Sequence, residues 1–220
     1  MALAGAPDYP ARMTAPLNRF AARGPQDLAD LARGHPLAWL CTPGAAGQIS
    51  SPLPLVPKFA PNGRIQAVEG HFARSNPQVA ALQADGDAVI LWMGVQGYVS
   101  PSWMADRTQA PTWNYATAQL RVRVRFDEDQ EAILRHLREL TDLHEAGRPQ
   151  AWSIDDMGAR LALLAQRVIA FRAEVVDCKE RYKLGQDERA DVYTDILAGL
   201  DAQPDAALPA WMRRFNPGRG

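Results

Sequence analysis

Three stretches of this chain carry side chains whose types and spacing could do chemistry. His71-Phe72-Ala73-Arg74-Ser75-Asn76-Pro77 sets a guanidinium and a hydroxyl beside an asparagine–proline pair. Asn is a good N-cap and Pro is pre-set for the first helical turn, so the pair opens a helix. Such an end presents unpaired N–H groups and the positive end of the helix dipole. Arg74 and Ser75 beside it, with Asn76, suit a phosphate; the plainer alternative is an ordinary cap with a solvated arginine. The second stretch joins Tyr98-Val99-Ser100-Pro101-Ser102-Trp103 to Ala110-Pro111-Thr112-Trp113-Asn114-Tyr115. Flat apolar surfaces edged by the groups of Ser100, Trp113, Asn114 and Tyr115 suit a planar ligand. The same residues would stack single-stranded nucleic acid or build a subunit interface equally well. The third is Lys179 to Asp187, a cationic run in which Lys183 and Gln186 could reach a phosphate or a ring edge, or simply face water.

Other chemistries lack their residues. No GxGxxG, GxxxxGK[ST], HExxH or GxSxG occurs. His35, His71, His136 and His144 have no metal-ligand spacing, so no metal site is expected. No acid–base pair stands out, and no catalytic residue is assigned.

The elements that must position these residues follow from pattern. Gln26–Arg33 reads as a short helix, stopped at Gly34-His35-Pro36. Leu37–Thr42 reads as a strand, and Ile49–Phe59 as an edge or bulged strand because it holds three prolines. Asn62-Gly63 signals a hairpin returning through Arg64–His71. The helix opened by Asn76 runs to Leu82. Ala88–Val95 is an unbroken apolar run, which predicts a strand buried on both faces. Trp113–Phe126 alternates cleanly, with Leu120, Val122, Val124 and Phe126 on one face and Arg121, Arg123 and Arg125 on the other. Asp127 is expected to cap a helix carrying Ile133, Leu134, Leu137, Leu140 and Leu143, ended by Gly147 and Pro149. Asp155–Gln166 reads as a helix and Val168–Val176 as a strand. Asp187 is expected to cap a last helix ending near Leu200. Strands joined by hairpins, without regular βαβ alternation, favour an antiparallel barrel over a doubly wound sheet.

The chain has 220 residues, 47% of them apolar and 22% charged, the composition of a globular domain. One domain is expected over 25–200, with an N-terminal arm at 1–24 and a tail at 201–220. Lys plus Arg is 24 and Asp plus Glu is 25, a net charge of −1. That balance argues against strong direct nucleic-acid binding, which needs a cation excess to displace counterions. Two cysteines, Cys41 and Cys178, make no disulfide framework. No signal peptide or 18-residue apolar run is visible, so the expectation is a cytoplasmic protein with no membrane contact.

Six segments in order carry a resemblance: HPLAWL at 35–40, GHFARSNP at 70–77, YVSPSWM at 98–104, PTWNYA at 111–116, LTDLHEAGRPQAW at 140–152 and KERYKLGQDE at 179–188. Over about residues 20 to 200 the chain resembles the PaiB-type FMN-binding negative transcriptional regulators. The resemblance implies an α+β, mainly β fold: an antiparallel split β-barrel of the pyridoxamine-phosphate-oxidase type with peripheral helices, assembled as a homodimer with FMN at the subunit interface. It implies that Arg74 and Ser75, with the helix opened by Asn76, hold the phosphate. Ser100, Trp113, Asn114 and Tyr115 would line the isoalloxazine, with Lys183 and Gln186 adding contacts. The chain departs from the family pattern at Pro52-Leu53-Pro54, where the family writes His-Leu-Pro, and at Met104, where tyrosine is common. It departs again at Lys183–Glu188, where Lys-Leu-Ser-Gln-Asn-Arg is usual. No helix-turn-helix is readable, so regulation would run through a protein partner or a bound metabolite. Two other function classes fit the same text. An FMN-dependent oxidoreductase would be reduced by a nicotinamide donor, and an interaction module without FMN would lack flavin absorbance.

Overall fold

The computed structural model describes residues 18–44 and 47–219, so residues 1–17 of the expected arm lie outside the described residues. Among the described residues seven strands form one sheet: β1 (Leu37–Gly44), β2 (Gly47–Pro54), β3 (Val56–Phe59), β4 (Ile65–Ala73), β5 (Asp87–Val99), β6 (Thr112–Asp127) and β7 (Val168–Lys183). Their order across the sheet is β2-β1-β5-β6-β7-β4-β3, and every pairing is antiparallel. β2 and β3 are separated by Leu55 alone, yet they form the two opposite edges of the sheet. One residue can join two edges only if the sheet curls until they meet. The result is an antiparallel barrel split between β2 and β3, as the sequence led us to expect. Leu55 is buried at the seam, its N–H donating to Pro36 O at 2.9 Å. The prolines of the 49–59 segment fall on these edge strands, where a missing N–H breaks no central ladder.

Among the described residues six helices decorate the barrel: α1 (Pro25–Gly34), α2 (Pro77–Ala84), α3 (Gln130–Glu145), α4 (Arg160–Ala165), α5 (Ala190–Asp201) and α6 (Ala207–Phe215). Asn76 caps α2 as expected, its side chain accepting from Gln78 N at 2.9 Å. Several expectations are corrected. Asp129, not Asp127, caps α3, accepting from Ala132 N at 2.9 Å; the Asp127 carboxylate accepts from Asp129 N instead. The single helix expected over 155–166 is a 3-10 turn at Ile154–Met157 followed by α4, because Gly158 turns the chain at φ +53°. Arg189, not Asp187, is the N-cap residue of α5, and Asp187 is exposed. β7 runs on to Lys183, so most of the expected cationic loop is strand. The Pro-rich tail folds into α6, with Leu208, Met212 and Phe215 buried in the common core. Pro209 lies in the first turn of α6, where its missing N–H costs no helical bond.

The barrel interior is filled by Leu40, Ile90, Trp92, Leu120, Val122, Phe72 and Phe171. β5 is corrected too. Ala88, Ile90 and Trp92 point inward and are buried, but Leu91 is 41% and Met93 58% exposed. The apolar run therefore has one face in the core and the other outside the barrel. Among the described residues no helix is long and apolar enough to cross a membrane.

Candidate functional site

β6 and β7 pair over most of their length, from Tyr115↔Lys183 to Asp127↔Ala170. The residues singled out from the sequence fall at opposite ends of this ladder, roughly 40 Å apart along the strand at about 3.3 Å per residue.

At one end, β4 finishes beside the start of β7 (Ala73↔Val168) and delivers Arg74, Ser75 and Asn76 to the turn before α2. Arg74 and Ser75 are exposed. Arg74 N donates to Arg167 O at 2.9 Å, and its Nε donates to Gln166 O at 3.1 Å. Its Nη1 lies 3.8 Å from the Glu128 carboxylate. Asn76 Oδ1 is used by the cap, and its Nδ2 donates to Ser51 Oγ at 3.0 Å. Behind the turn, Gln78 is fully buried and its Nε2 donates to Leu40 O and Thr42 Oγ1, both at 2.9 Å. The cap therefore ties the α2 start to β1 and β2, leaving the guanidinium and the Ser75 hydroxyl outward.

The same end holds a pair absent from the sequence reading. His71 Nδ1 of β4 and His136 Nε2 of α3 are 3.2 Å apart, a hydrogen bond that requires one ring to donate and the other to accept. His136 is buried, and its Nδ1 has no partner. Burial, then the neighbouring His71, pushes its pKa down to about 4 against the upward pull of Glu69 and Glu139. Burial lowers His71 as well. Lys58 of β3 bridges the carboxylates of Glu69 and Glu139 alongside, and Arg172 of β7 pairs with Glu69 at 2.8 Å. Of the apolar face expected on α3, Ile133 is buried and Leu134 and Leu137 pack half-buried beside it, while Leu143 is 45% exposed; Ala132 and His136 complete the docked face.

At the other end, Tyr98↔Trp113 and Tyr115↔Lys183 are cross-strand pairs. Tyr98 and Trp113 are about half exposed and meet edge to face at 6.2 Å. Lys183 Nζ donates to Trp113 O at 3.0 Å and to Thr112 Oγ1, and Arg181 Nε donates to Tyr115 OH at 3.0 Å. Ser100 Oγ shares a 2.7 Å hydrogen bond with Ser102 Oγ just beyond β5. Asn114 points the other way. It is 1% exposed beneath α6, its Nδ2 facing Met212 Sδ at 3.5 Å and its Oδ1 unpaired. Gln186 is spent within its own loop, accepting from Leu184 N at 2.7 Å and donating to Tyr182 O at 2.6 Å.

Between the two ends lies a face the sequence reading missed. Register aligns Trp39, Leu91, Gln119 and Lys179 in one cross-strand row, and Met93, Thr117 and Arg181 in the next. A cleft of about 620 Å³ lies over them, apolar on β1 and β5 and cationic on β7. Trp39, at 50% exposed, and Leu37, at 60%, extend the apolar part. The signal was present in the alternation of Leu37, Trp39, Leu91 and Met93. It was hidden because an apolar run reads the same whether the second face is covered by this chain or by another. Cys178 lies on the opposite face, where burial and Glu180 push its thiol up to about 12, which makes it inert.

A family model described as "Putative FMN-binding domain" (FMN_bind_2) matches residues 16–177, a span that stops before α5 and α6. "Protease synthase and sporulation protein PAI 2" of Bacillus subtilis (strain 168) is 27% identical over 134 residues, covering 60% of this chain and 64% of its own. "Uncharacterized protein YKL070W" of Saccharomyces cerevisiae is 28% identical over 113 residues, covering 49% of this chain and 66% of its own. The chain thus spans just under two thirds of the length of both curated relatives. Among solved structures, the FAD and heme binding protein of Mycobacterium smegmatis aligns with TM-score 0.55 and 20% identity, over 81% of this chain and 79% of that one. The flavocytochrome Anf3 of Azotobacter vinelandii aligns with TM-score 0.55 and 14% identity, over 73% and 67%. These two likenesses speak to fold alone.

Proposed function

We propose, from the premise that the chain belongs to the FMN_bind_2 family, that it works as a homodimeric split-barrel flavoprotein whose FMN is shared between two copies. FMN is its cofactor, and when bound supplies hydride or single-electron transfer. The donor set fits this group. Arg74 and Ser75 offer a fork of N–H donors and a hydroxyl to a phosphate. Tyr98, Trp113 and Tyr115 offer flat surfaces, with Lys183 and Arg181 at their edge. In this reading Arg74 exchanges its long contact with Glu128 for the phosphate, while its backbone bond to Arg167 holds the turn in place. Asn114 and Gln186 act from behind, fixing the strand end and the loop.

The observation that carries the reading is the separation of the two groups along one strand pair. A single chain holds a phosphate end and a ring end too far apart for one flavin. A second copy, packed on the outer face of β1, β5, β6 and β7, brings its own ring end to the first copy's Arg74. The exposed Leu37, Trp39, Leu91 and Met93 give that packing its apolar surface, which a lone barrel would leave in water. The likeness to a protein named for protease synthesis and sporulation supports a regulatory role. We place that role in contact with a protein or a metabolite, since a net charge of −1 supplies no cation excess for duplex DNA.

Absorbance and light scattering on the purified protein test the reading. The expected result is flavin absorbance at one FMN per protomer in a particle of twice the chain mass. A monomer that binds FMN stoichiometrically would overturn the shared site. Arg74→Ala is expected to weaken FMN by roughly ten- to a hundredfold with the apo melting temperature unchanged.

A further inference from the structure

The loop that follows Lys183 is held from outside itself. Its backbone carbonyls at Leu184, Gly185 and Glu188 all accept hydrogen bonds from the last residues of the described chain. Asn216 Nδ2 donates to Leu184 O at 2.9 Å, Arg219 Nη1 donates to Gly185 O at 3.2 Å, and Arg219 Nη2 donates to Glu188 O. Asn216 is itself buried and anchored on Met212 O at 2.8 Å. The Arg219 guanidinium lies 4.7 Å over the Tyr193 ring of α5.

α6 is fixed in turn by two further contacts. Trp211 and Phe215 stack with Tyr182 on β7, and Arg214 pairs with Asp27 and Asp30 of α1. Gly185 takes φ +83°, and a Cβ there would stand 3.1–3.2 Å from Met212 Cε and the Tyr193 ring. The backbone is thus pressed against α6 at the one residue where a side chain would intervene.

We propose that Asn216, the C-cap residue of α6, and Arg219 just beyond it are positioning residues for the Lys183 edge of the flavin site. The inference rests on the flavin reading above and goes beyond it. It assigns part of cofactor binding to a segment past the residues that the family model matches. Asn216 and Arg219 fix the loop's own carbonyls, and the Arg219 cation near Glu188 offsets its charge. Arg219 acts through Lys183 and need not touch the cofactor.

A double-mutant cycle on FMN affinity, read by flavin fluorescence quenching, tests this. Two hydrogen bonds and one cation should make Arg219→Ala bind FMN about five- to tenfold more weakly. Arg219→Lys, which keeps the charge and one donor, should recover part of the loss. In a Lys183→Ala background the Arg219→Ala effect should shrink below about twofold, because its route to the flavin is gone. Amide exchange in the apo protein gives a second readout: residues 185–188 should exchange faster in Arg219→Ala while β5 and β6 do not change. An Arg219→Ala effect of equal size with and without Lys183 would overturn the proposal, as would unaltered exchange at 185–188. Unchanged FMN affinity in Lys183→Ala would instead overturn the flavin reading of this edge, and the inference with it.

Discussion

The two ends of the β6–β7 ladder solve one problem by different physics. Each must hold an outward cation at the end of a sheet, Arg74 in the turn after β4 and Lys183 as the last residue of β7. At the Arg74 end the support is a helix docked through a histidine pair, a bridging lysine and two glutamates, so the packing contains groups that titrate. At the Lys183 end it is α6, which stacks aromatic rings, and the residues just past it, which donate amide and guanidinium N–H groups to backbone carbonyls. The first end should respond to pH, and the second to packing volume.

The largest expected effect is at the packed end. A Cβ on Gly199 of α5 would stand 2.4 Å from the Trp103 ring, so the helix lies against the turn that follows β5 at contact distance. Gly199→Val should destabilise the protein by about 3 kcal/mol, read by urea unfolding. A loss under about 1 kcal/mol would show that the α5 packing yields easily and would blunt the contrast.

Next comes the titrating end. His136 takes a proton near 6.5 when unfolded and only near 4 when folded. The unfolded state therefore binds more protons between these values. Stability is fully present above about pH 6.5 and is lost as pH falls toward 4. Between pH 7 and pH 5 the loss from this residue is about 2 kcal/mol, with His71 adding in the same direction. The charged groups around the pair are Lys58 of β3, Glu69 of β4, Arg172 of β7, Asp127 of β6, and Arg135 and Glu139 of α3. His35, also lowered by burial, sits elsewhere and leaves a residual slope. Amide exchange in α3 should show the acid loss, and His71→Leu/His136→Leu should flatten it. An equal pH response of α6 would remove the distinction between the ends.

The smallest effect sharpens the boundary of α3. Asp129→Ala should cost about 1 kcal/mol through loss of the cap, and Asp127→Ala only a few tenths. Equal costs in thermal melts would move the cap back toward the position that sequence alone favours.

These contrasts mark where the sequence was legible. The turn at Arg74 was, because Asn76-Pro77 carries its own helix-start chemistry and needs no distant partner. β7 beyond Val176 was not. Lys179, Arg181 and Lys183 face outward while Cys178, Glu180 and Tyr182 face inward, and an inward carboxylate reads as loop. Glu180 is satisfied there by the Tyr182 hydroxyl at 2.7 Å, a partner two residues along the same strand. α6 was hidden by the prolines of the tail, Pro204, Pro209 and Pro217. The docking of α3 through His136 was hidden because a histidine beside a leucine stripe carries no sign of its partner on β4. For the proposed flavin site, residue types were readable, but their separation along one ladder emerged only from the register.

The seam at Leu55 has a consequence for how the molecule comes into being. The β3–β4 hairpin is complete once residue 73 has been made, yet its neighbour β7 begins at Val168. A nascent chain therefore carries an unpaired β4 edge through the synthesis of nearly a hundred residues. Closure must then bring together segments far apart in sequence, the kind of step that makes folding slow. During that interval the hairpin is a template for any other extended chain nearby. Pro57 and Lys58 guard its β3 side, whereas the β4 side, which later takes up β7, has only the speed of translation to protect it.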